Sequence, residues 1–450
     1  MDLPVGISAL QHTDRRIGVP ICAGLTLLRK IFRLGASHPS GVANVRRLLF
    51  VKFAEQGSTV LAYPAVLRAI EMVGRHNVYF VVFHDNRFIL DALEIIPEEN
   101  VITIATHNLW TLASGALRAL LQIRRIAFDA VIDLEFFTRF SAIVTFLSGA
   151  KARVGFHTFF GDGPYRGDLM THRLIYNPHI HTSEMFLSMV EALRHDPALL
   201  PALNVIPKAQ ADPARFRPRP GELADFATAL QRDYPHLRSA PLILLNPNAG
   251  DLLPLRRWPS HRYLDLARRL LEIDPELFVG FTGAPAEAAD VERLAATVGS
   301  DRVISFAGRT TLRQLMLLYL RSELLVTNDS GPAHFASLTP IHVVTLFGPE
   351  TPALFRARSE NTTPLWAGLA CSPCVNAFNN RQSPCRDNLC MQAITVDQVF
   401  ATVVRIYAAR ESSAPSRPSA FDQPTRNGAE PPLCEDPVWE QAALKAAAVE

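Results

Sequence analysis

From Arg46 onward, short apolar runs alternate with segments whose apolar residues recur at helical spacing. Leu48 to Phe53 (LLFVKF) reads as a buried strand. A polar turn, Glu55-Gln56-Gly57-Ser58, follows it, and then a helix carrying Val66, Ala69, Ile70 and Val73 on one face. Pro64 falls early in that helix, where a missing N–H costs little. Val78–Phe83, Val101–Ile104 and Ala130–Leu134 are the next strands. A second block opens near Pro241, with strands at Leu242–Leu245, Phe278–Phe281, Leu324–Thr327 and His342–Phe347. Its helices include one capped by Ser260 and one opened by a Thr311-x-x-Gln314 capping box. Alternation of this type predicts parallel sheets with helices on both faces. The expected architecture is α/β, with one doubly wound domain at residues 45–206, a Pro-rich linker at 207–240 and a second domain at 241–410. Ligands of such sheets bind in the crevice at the strand C-terminal ends.

The two ends break this pattern. Residues 1–44 hold an apolar stretch, Ile17 to Leu28, flanked by Arg15, Arg16, Arg29, Lys30 and Arg33. The stretch is too short to span a bilayer, and no clean small-residue cleavage site follows it. Two readings stay open: a basic, apolar helix lying peripherally in a membrane interface, or a leader packed on the protein or left unordered. Residues 411–450 are rich in Pro, Ser and charge as far as Pro437, which predicts a disordered tail. Both ends are expected to be dispensable to the fold. The chain's 450 residues allow two or three domains, and 48% hydrophobic content suits sizeable cores. Lys plus Arg total 45 against 43 Asp plus Glu, a balance that argues against a nucleic-acid partner. Six cysteines make no disulfide framework, and four of them cluster late, which points to a local site.

Candidate chemistry gathers after the strands of the second block. In Val326–His334 (VTNDSGPAH) a strand enters a tight polar turn, Gly331 permits close backbone approach, and Pro332 suits a first helical turn. The helix start offers N–H groups and a positive dipole end to an anion, and Ser330 and His334 lie four apart. A plain helix capped by Asp329 or Ser330 fits the same residues. Asn246-Pro247-Asn248-Ala249-Gly250 leads into Arg256 and Arg257, whose guanidinium forks suit a diphosphate; a solvated basic loop is the other reading. Phe281–Pro285, with Gly283, is a third turn of this kind. Three turns aimed at one sheet edge favour a phosphorylated ligand over three unrelated loops.

The series NPNAG…RRWP, FTGAPAE, FAGRTTL and VTNDSGPAHFAS…VVTLFGPETP resembles glycosyltransferase family 9, the family of the ADP-heptose:lipopolysaccharide heptosyltransferases. The first half is similar too, in the Gly57 loop, Pro64, Asp129–Leu134 and the segment Gly149–Phe156, so the resemblance covers residues 45–408. It implies a GT-B fold, two Rossmann-like domains facing a cleft, with acceptor bound by the first and nucleotide sugar by the second. It also implies inverting transfer of a heptose-like sugar from a nucleotide-diphosphate donor to a lipopolysaccharide or other lipid-linked envelope saccharide. No cofactor is required on that reading, and the cytoplasmic side, peripherally at the inner membrane face, is the implied location. By position the resemblance assigns donor binding to Arg256, where the family usually has Lys, and to Asp329, Ser330, Gly331 and His334. The turns add Asn248, Arg257 and Gly283. Guanidinium groups and fixed dipoles would stabilise the departing diphosphate in place of a metal.

One departure matters. The family's first loop normally ends Gly-Asp, and that Asp is the expected general base; here Ser58 follows Gly57. A serine cannot hold a proton from an alcohol as a carboxylate can, so Glu55, three residues earlier, is the substitute candidate. The alternative is a catalytically impaired nucleotide-sugar-binding protein of the same fold. Arg166 and Arg173, in the basic segment 157–181, are candidates for an anionic acceptor, and His179 and His181 there read as surface residues. Cys371, Cys374, Cys385 and Cys390 have spacing compatible with structural zinc, while free thiols and disulfides remain the other readings.

Overall fold

The computed structural model describes residues 12–32, 44–159, 163–200, 214–250 and 253–413. Its strands form two six-stranded sheets, one for each block of alternating pattern. The first contains β1 (Leu48–Val51), β2 (Val78–Phe83), β3 (Val101–Ile104), β4 (Ala130–Asp133), β5 (Ala152–Phe156) and β6 (His172–Leu174), in the order β3-β2-β1-β4-β5-β6. The second contains β7 (Leu242–Asn246), β8 (Phe278–Phe281), β9 (Val303–Ser305), β10 (Leu324–Asn328), β11 (His342–Phe347) and β12 (Thr362–Trp366), in the order β9-β8-β7-β10-β11-β12. Every pairing is parallel. The two orders are the same doubly wound arrangement, and each reverses direction between its first and fourth strands. β1 and β7 are buried along their whole length, which is why they read as unbroken apolar runs rather than alternating ones.

The helices of the first half are α1 (Val19–Ile31), α2 (Gln56–Leu61), α3 (Tyr63–Val73), α4 (Phe88–Leu93), α5 (Leu109–Ile126), α6 (Arg139–Leu147) and α7 (Thr182–Glu191). Those of the second are α8 (Glu222–Asp233), α9 (Ser260–Ile273), α10 (Ala288–Val298), α11 (Leu312–Arg321), α12 (Gly331–Ala336), α13 (Pro352–Phe355), α14 (Leu389–Gln392) and α15 (Val396–Ser413). Right-handed crossovers place α3 on one face of the first sheet and α5 and α6 on the other. Val66 and Ala69 of α3 meet Leu48 and Phe50 of β1, while Ala119 and Ile123 of α5 and Val144 of α6 meet Leu49 and Val51. The alternation along β1 thus serves two cores at once. The Thr311–Gln314 capping box forms as its spacing predicts.

Four strands had no clear signal in the pattern. β6 and β9 are three residues each, β5 carries the buried Arg153 as its second residue, and β12 contains Pro364. A proline is tolerated in β12 because that strand closes the edge of its sheet. The segment expected as a linker is partly core: Ala214, Phe216, Leu230 and Leu237 pack with Leu242, Leu244 and Phe306. α15 runs to Ser413, three residues into the segment expected to be disordered; the rest of that tail lies outside the described residues.

The leading segment is docked rather than detached. Asp14 opens a π-helical turn (Asp14–Gly18) that continues into α1. Its carboxylate accepts hydrogen bonds from Arg139 N at 3.0 Å and Phe140 N at 2.8 Å, and pairs with Arg139 Nη1 at 3.2 Å. Thr138, the N-cap residue of α6, makes no side-chain cap of its own, so Asp14 supplies it from elsewhere in the chain. Cys22 is fully buried beside Ala142, Leu169 and Met170, and Arg29 Nη1 reaches Asp168 Oδ2 at 2.5 Å. For residues 12–32 the structure thus matches the reading of a leader packed on the protein. Among the described residues no helix is long and apolar enough to cross a membrane. Asp14→Ala is expected to cost about 1 kcal/mol, the usual loss for a missing helix cap. Urea unfolding followed by circular dichroism should show it, and Asp14→Asn, which keeps an accepting oxygen, should recover most of the difference.

Candidate active site

The loops that leave β1, β4, β7 and β10 at their C-terminal ends lie at the two points of strand-order reversal. In the first half, Glu135 beyond β4 organises the β1 loop. Its Oε1 accepts from Phe53 N at 2.6 Å, Ala54 N at 3.0 Å and Lys52 Nζ at 3.1 Å. Glu55 follows in a left-handed conformation, φ 66°, and precedes α2. Ser58 does not replace the missing carboxylate: its Oγ donates to Glu55 O at 2.8 Å and stands 3.4 Å from Glu55 Oε2. Gly57 has a steric reason to be glycine. A Cβ there would lie 2.6 Å from Cδ2 of His334 in the opposite half.

In the second half, Asn328 at the end of β10 ties the loops together. Its Oδ1 accepts from Trp258 N and Tyr263 OH, each at 3.1 Å, and its Nδ2 donates to Pro247 O and Asn248 O, each at 3.1 Å. Arg256 is thereby brought beside Asp329, Nε to Oδ2 at 3.5 Å, and pairs closely with Glu350 beyond β11. Arg381, from the long loop after β12, pairs closely with Glu55 and stands 3.5 Å from Glu350. Its guanidinium also lies over the rings of Phe136 and Phe355, at 5.5 and 5.0 Å. Glu55, Arg381, Glu350, Arg256 and Asp329 therefore form one alternating string of charge from the first half to the second.

Electrostatics follows from this arrangement. Burial would raise the Glu55 carboxyl, but Arg381, Lys52 and Arg256 together hold it below its ordinary range, so it is ionised at neutral pH. Burial pushes Asp329 up to about 7; Arg256 opposes the shift and Glu350 adds to it. His334 is driven down to about 3 by burial, with Arg256 and His181 adding to the effect, so it is a neutral imidazole. Two buried nitrogens here, Asn248 Nδ2 and His334 Nδ1, have no hydrogen-bond partner, and Arg256 Nε, Asp329 Oδ2 and Glu350 Oε1 have only the ion pairs at 3.5 Å. Native proteins seldom leave such atoms unmet, and their concentration at one cleft marks a ligand site.

The profile of glycosyltransferase family 9 (heptosyltransferase) matches residues 117–383, more than half of the chain. The chain belongs to glycosyltransferase family 9. Lipopolysaccharide heptosyltransferase 2 of Salmonella typhimurium is 28% identical over 221 residues, 47% of this chain and 58% of that protein. Lipooligosaccharide heptosyltransferase 2 of Haemophilus ducreyi is 29% identical over 154 residues, 33% of this chain and 44% of that one. The chain thus spans less than two thirds of the length of these relatives. The solved structure of the Escherichia coli ADP-heptose lipopolysaccharide heptosyltransferase II superposes with a TM-score of 0.62 at 17% identity, covering 81% of this chain and 99% of that one. A family 9 glycosyltransferase from Veillonella parvula gives the same score and identity, covering 81% and 97%. These establish the GT-B fold, two Rossmann-like domains.

Against the family pattern, the predicted residues separate. Asn248, Arg256, Gly283, Asp329, Ser330, Gly331 and His334 gather at the second sheet's strand ends, where a Cβ on Gly283 would lie 2.8 Å from Asn248 Nδ2. Arg257 stands at the rim, donating to Gly250 O at 3.2 Å. α12 is only six residues long, so the expected helix dipole is small, and the cations at the cleft are Arg256 and Arg381, each paired with carboxylates. Arg166 is 2% exposed and closely paired with Asp133, which takes it beneath the site rather than into it. Arg173 is more open and pairs with Asp168 at 3.5 Å, beside the docked leading segment. His181 is not a surface residue: it is buried, its Nε2 lies 2.9 Å from Arg356 O, and its Nδ1 accepts from Arg358 Nε at 3.2 Å. It fastens the two halves, while His179 stays exposed.

The four clustered cysteines are free thiols, not disulfides. Cys371 and Cys385 are exposed, Cys374 accepts from Ser383 Oγ at 3.3 Å, and Cys390 is buried in the second core. Among the described residues no group of three or more His, Cys, Asp or Glu is placed to hold a metal ion. Glu350 and Arg381 were not singled out in the sequence. Glu350 sits inside the quoted LFGPETP, whereas Arg381 lies in an Asn- and Arg-rich loop whose path no local pattern encodes.

Because the Asp329 carboxyl is raised to about 7, its contribution to stability is complete below about pH 4 and is lost as the pH climbs through 7. Asp329→Asn should therefore stabilise the protein relative to the parent more at pH 8 than at pH 5, as read by urea midpoints at the two values.

Proposed function

We propose that this protein is an inverting glycosyltransferase that moves a heptose-like sugar from a nucleotide-diphosphate donor to a lipopolysaccharide or other envelope saccharide, without a catalytic metal, at the cytoplasmic side of the membrane. The observation that carries the reading is the convergence on one cleft of Asn248 and His334, each with a buried nitrogen that has no hydrogen-bond partner, and the ion-paired Arg256 and Asp329, joined to the ionised Glu55 through Arg381 and Glu350. Its relatives are named for lipopolysaccharide and one neighbouring structure for ADP-heptose, so an ADP-linked heptose is the first donor to test.

In the reaction the acceptor hydroxyl oxygen attacks the anomeric carbon from the face opposite the leaving group. The bond from that carbon to the diphosphate breaks, and the hydroxyl proton passes to Glu55. Glu55 is suited to this because it is ionised beforehand and so needs no prior loss of a proton. The negative charge that develops on the diphosphate is met by Arg256, a group already fixed and largely desolvated, which is how such charge is stabilised where no cation is supplied. Neutral His334 and the amide of Asn248 offer hydrogen bonds without adding charge. Arg173, the more open of the two acceptor candidates, is the one we keep for an anionic acceptor, in exchange for Asp168; Arg166 acts by holding Asp133. A second reading, a donor-binding protein that does not turn over, is favoured by one observation: Ser58 occupies the place of the family's aspartate.

Thermal shift with a panel of nucleotide sugars tests the donor, since a ligand at 100 times its Kd stabilises by about 2.7 kcal/mol. Arg256→Ala should weaken donor binding. Glu55→Gln should leave it intact while lowering kcat by about 10²-fold or more. Stabilisation by no nucleotide sugar would overturn the transferase reading, and tight binding with no transfer to any acceptor would establish the second one.

A further inference from the structure

Two helices present apolar outer faces from one side of the first sheet. α1 packs through Cys22 and Leu25 onto Ala142, Ile143 and Phe146 of α6, and α5 packs through Ala119 and Ile123 beside Val144 of that same helix. Their other faces are open. On α1 and the turn before it, Ile17, Ile21, Leu28 and Ile31 are 42–62% exposed at spacings of three, four and seven residues. Pro20, Ala23, Gly24 and Leu27 are the remaining exposed residues between Ile17 and Leu28, so no polar side chain interrupts this face. On α5, Trp110, Leu117 and Leu121 are 84%, 59% and 61% exposed, again along one stripe. Single exposed apolar residues are ordinary, but two helices that pack on the same α6 and each carry an exposed apolar stripe, broken on α5 only by Ser114, are not.

The charge around these stripes has one sign. Arg16 and Lys30 border the first, and Arg118 and Arg125 the second, all exposed. The sole acidic residue in the described leading segment is Asp14, already committed to Arg139 and Phe140, and α5 has no acidic residue. We propose that α1 and α5 together form a docking surface for an anionic lipid bilayer. Apolar stripes bordered by Lys and Arg lie in the plane of the headgroups, with the apolar face sunk toward the acyl chains and the cations against lipid phosphates. An exposed tryptophan such as Trp110 is at home at that depth. A water-soluble protein partner would leave the single sign of charge unexplained; a bilayer of anionic lipid accounts for both features with one chemistry. The inference does not rest on the transferase reading, because it concerns the opposite side of the first core from α3.

Co-sedimentation of the full chain with phosphatidylglycerol-containing vesicles tests it, alongside vesicles of phosphatidylcholine alone. Binding is expected to the former, to fall with added salt and to be weak to the latter. Ile21→Glu with Leu28→Glu, and separately Leu117→Glu with Leu121→Glu, should each lower the partition coefficient at least tenfold while the folded-state circular dichroism is retained. Trp110 fluorescence should shift to the blue on binding, and Trp110→Phe should abolish that shift. Arg16, Lys30, Arg118 and Arg125 changed together to Gln should remove the salt dependence. Failure to bind phosphatidylglycerol vesicles, or binding untouched by the Glu variants, would overturn the proposal. So would a dimer of the parent chain, seen by light scattering, that the same variants split, since the stripes would then be an interface between copies. Nucleotide-sugar stabilisation measured on the same preparations reports separately on the active site.

Discussion

Burying charge between two sheets is the constraint to which the cleft of this protein answers. Glu55, Arg381, Glu350, Arg256 and Asp329 are all largely withdrawn from water, and each such ion taken alone would cost several kcal/mol. Alternation of sign along the string offsets that cost for every member but Asp329. The loops around the cleft are consequently spent on positioning: Glu135 fixes the β1 loop, Asn328 fixes the loops after β7, and Arg381 is clamped over two phenylalanine rings. Carboxylates outnumber guanidiniums in the string, and the surplus falls on Asp329, whose proton is held to about pH 7. A cleft with one carboxyl left short of a cation has room for a ligand that brings hydroxyls to it.

The fold was largely legible because the strands that matter most are buried on both faces. LLFV and LILL announce themselves as central strands, and the helices between them carry periodic apolar faces. Strand order was not written in the pattern; it follows from right-handed crossovers once the strands pair. What was missed is short, polar or at an edge: β6 and β9 hold three residues each, and β12 is broken by a proline that only an edge strand can accommodate. The stretch 207–240 looked like a linker because it is rich in proline and charge, yet four of its apolar residues are sunk in the second core.

The site divides along the same line between local and distant information. Turns that follow strands directly, with Asn248, Asp329 and Ser330, were visible because their chemistry is contiguous in sequence. The partners that complete them were not: Arg381 meets Glu55 across 326 positions of sequence, and no spacing rule reaches that far. Arg166 shows the converse error. A basic loop invites an anionic ligand, but this guanidinium finds its anion in Asp133, the last residue of β4. His181 likewise left the surface to become a fastening between halves, which its neighbourhood of polar residues concealed.

The cap that Asp14 provides for α6 has a geometric consequence. α6 begins only four residues after Glu135, the side chain that holds the β1 loop and hence Glu55 in place. The leading helix is therefore bolted to the same short stretch of chain that aims the Glu55 carboxylate. Whatever α1 rests against, the distance and heading from that support to Glu55 are constants of the fold, like the throat depth of a fixed clamp. On the proposed mechanism it is then the acceptor that must supply the reach, and its length becomes something the protein can measure.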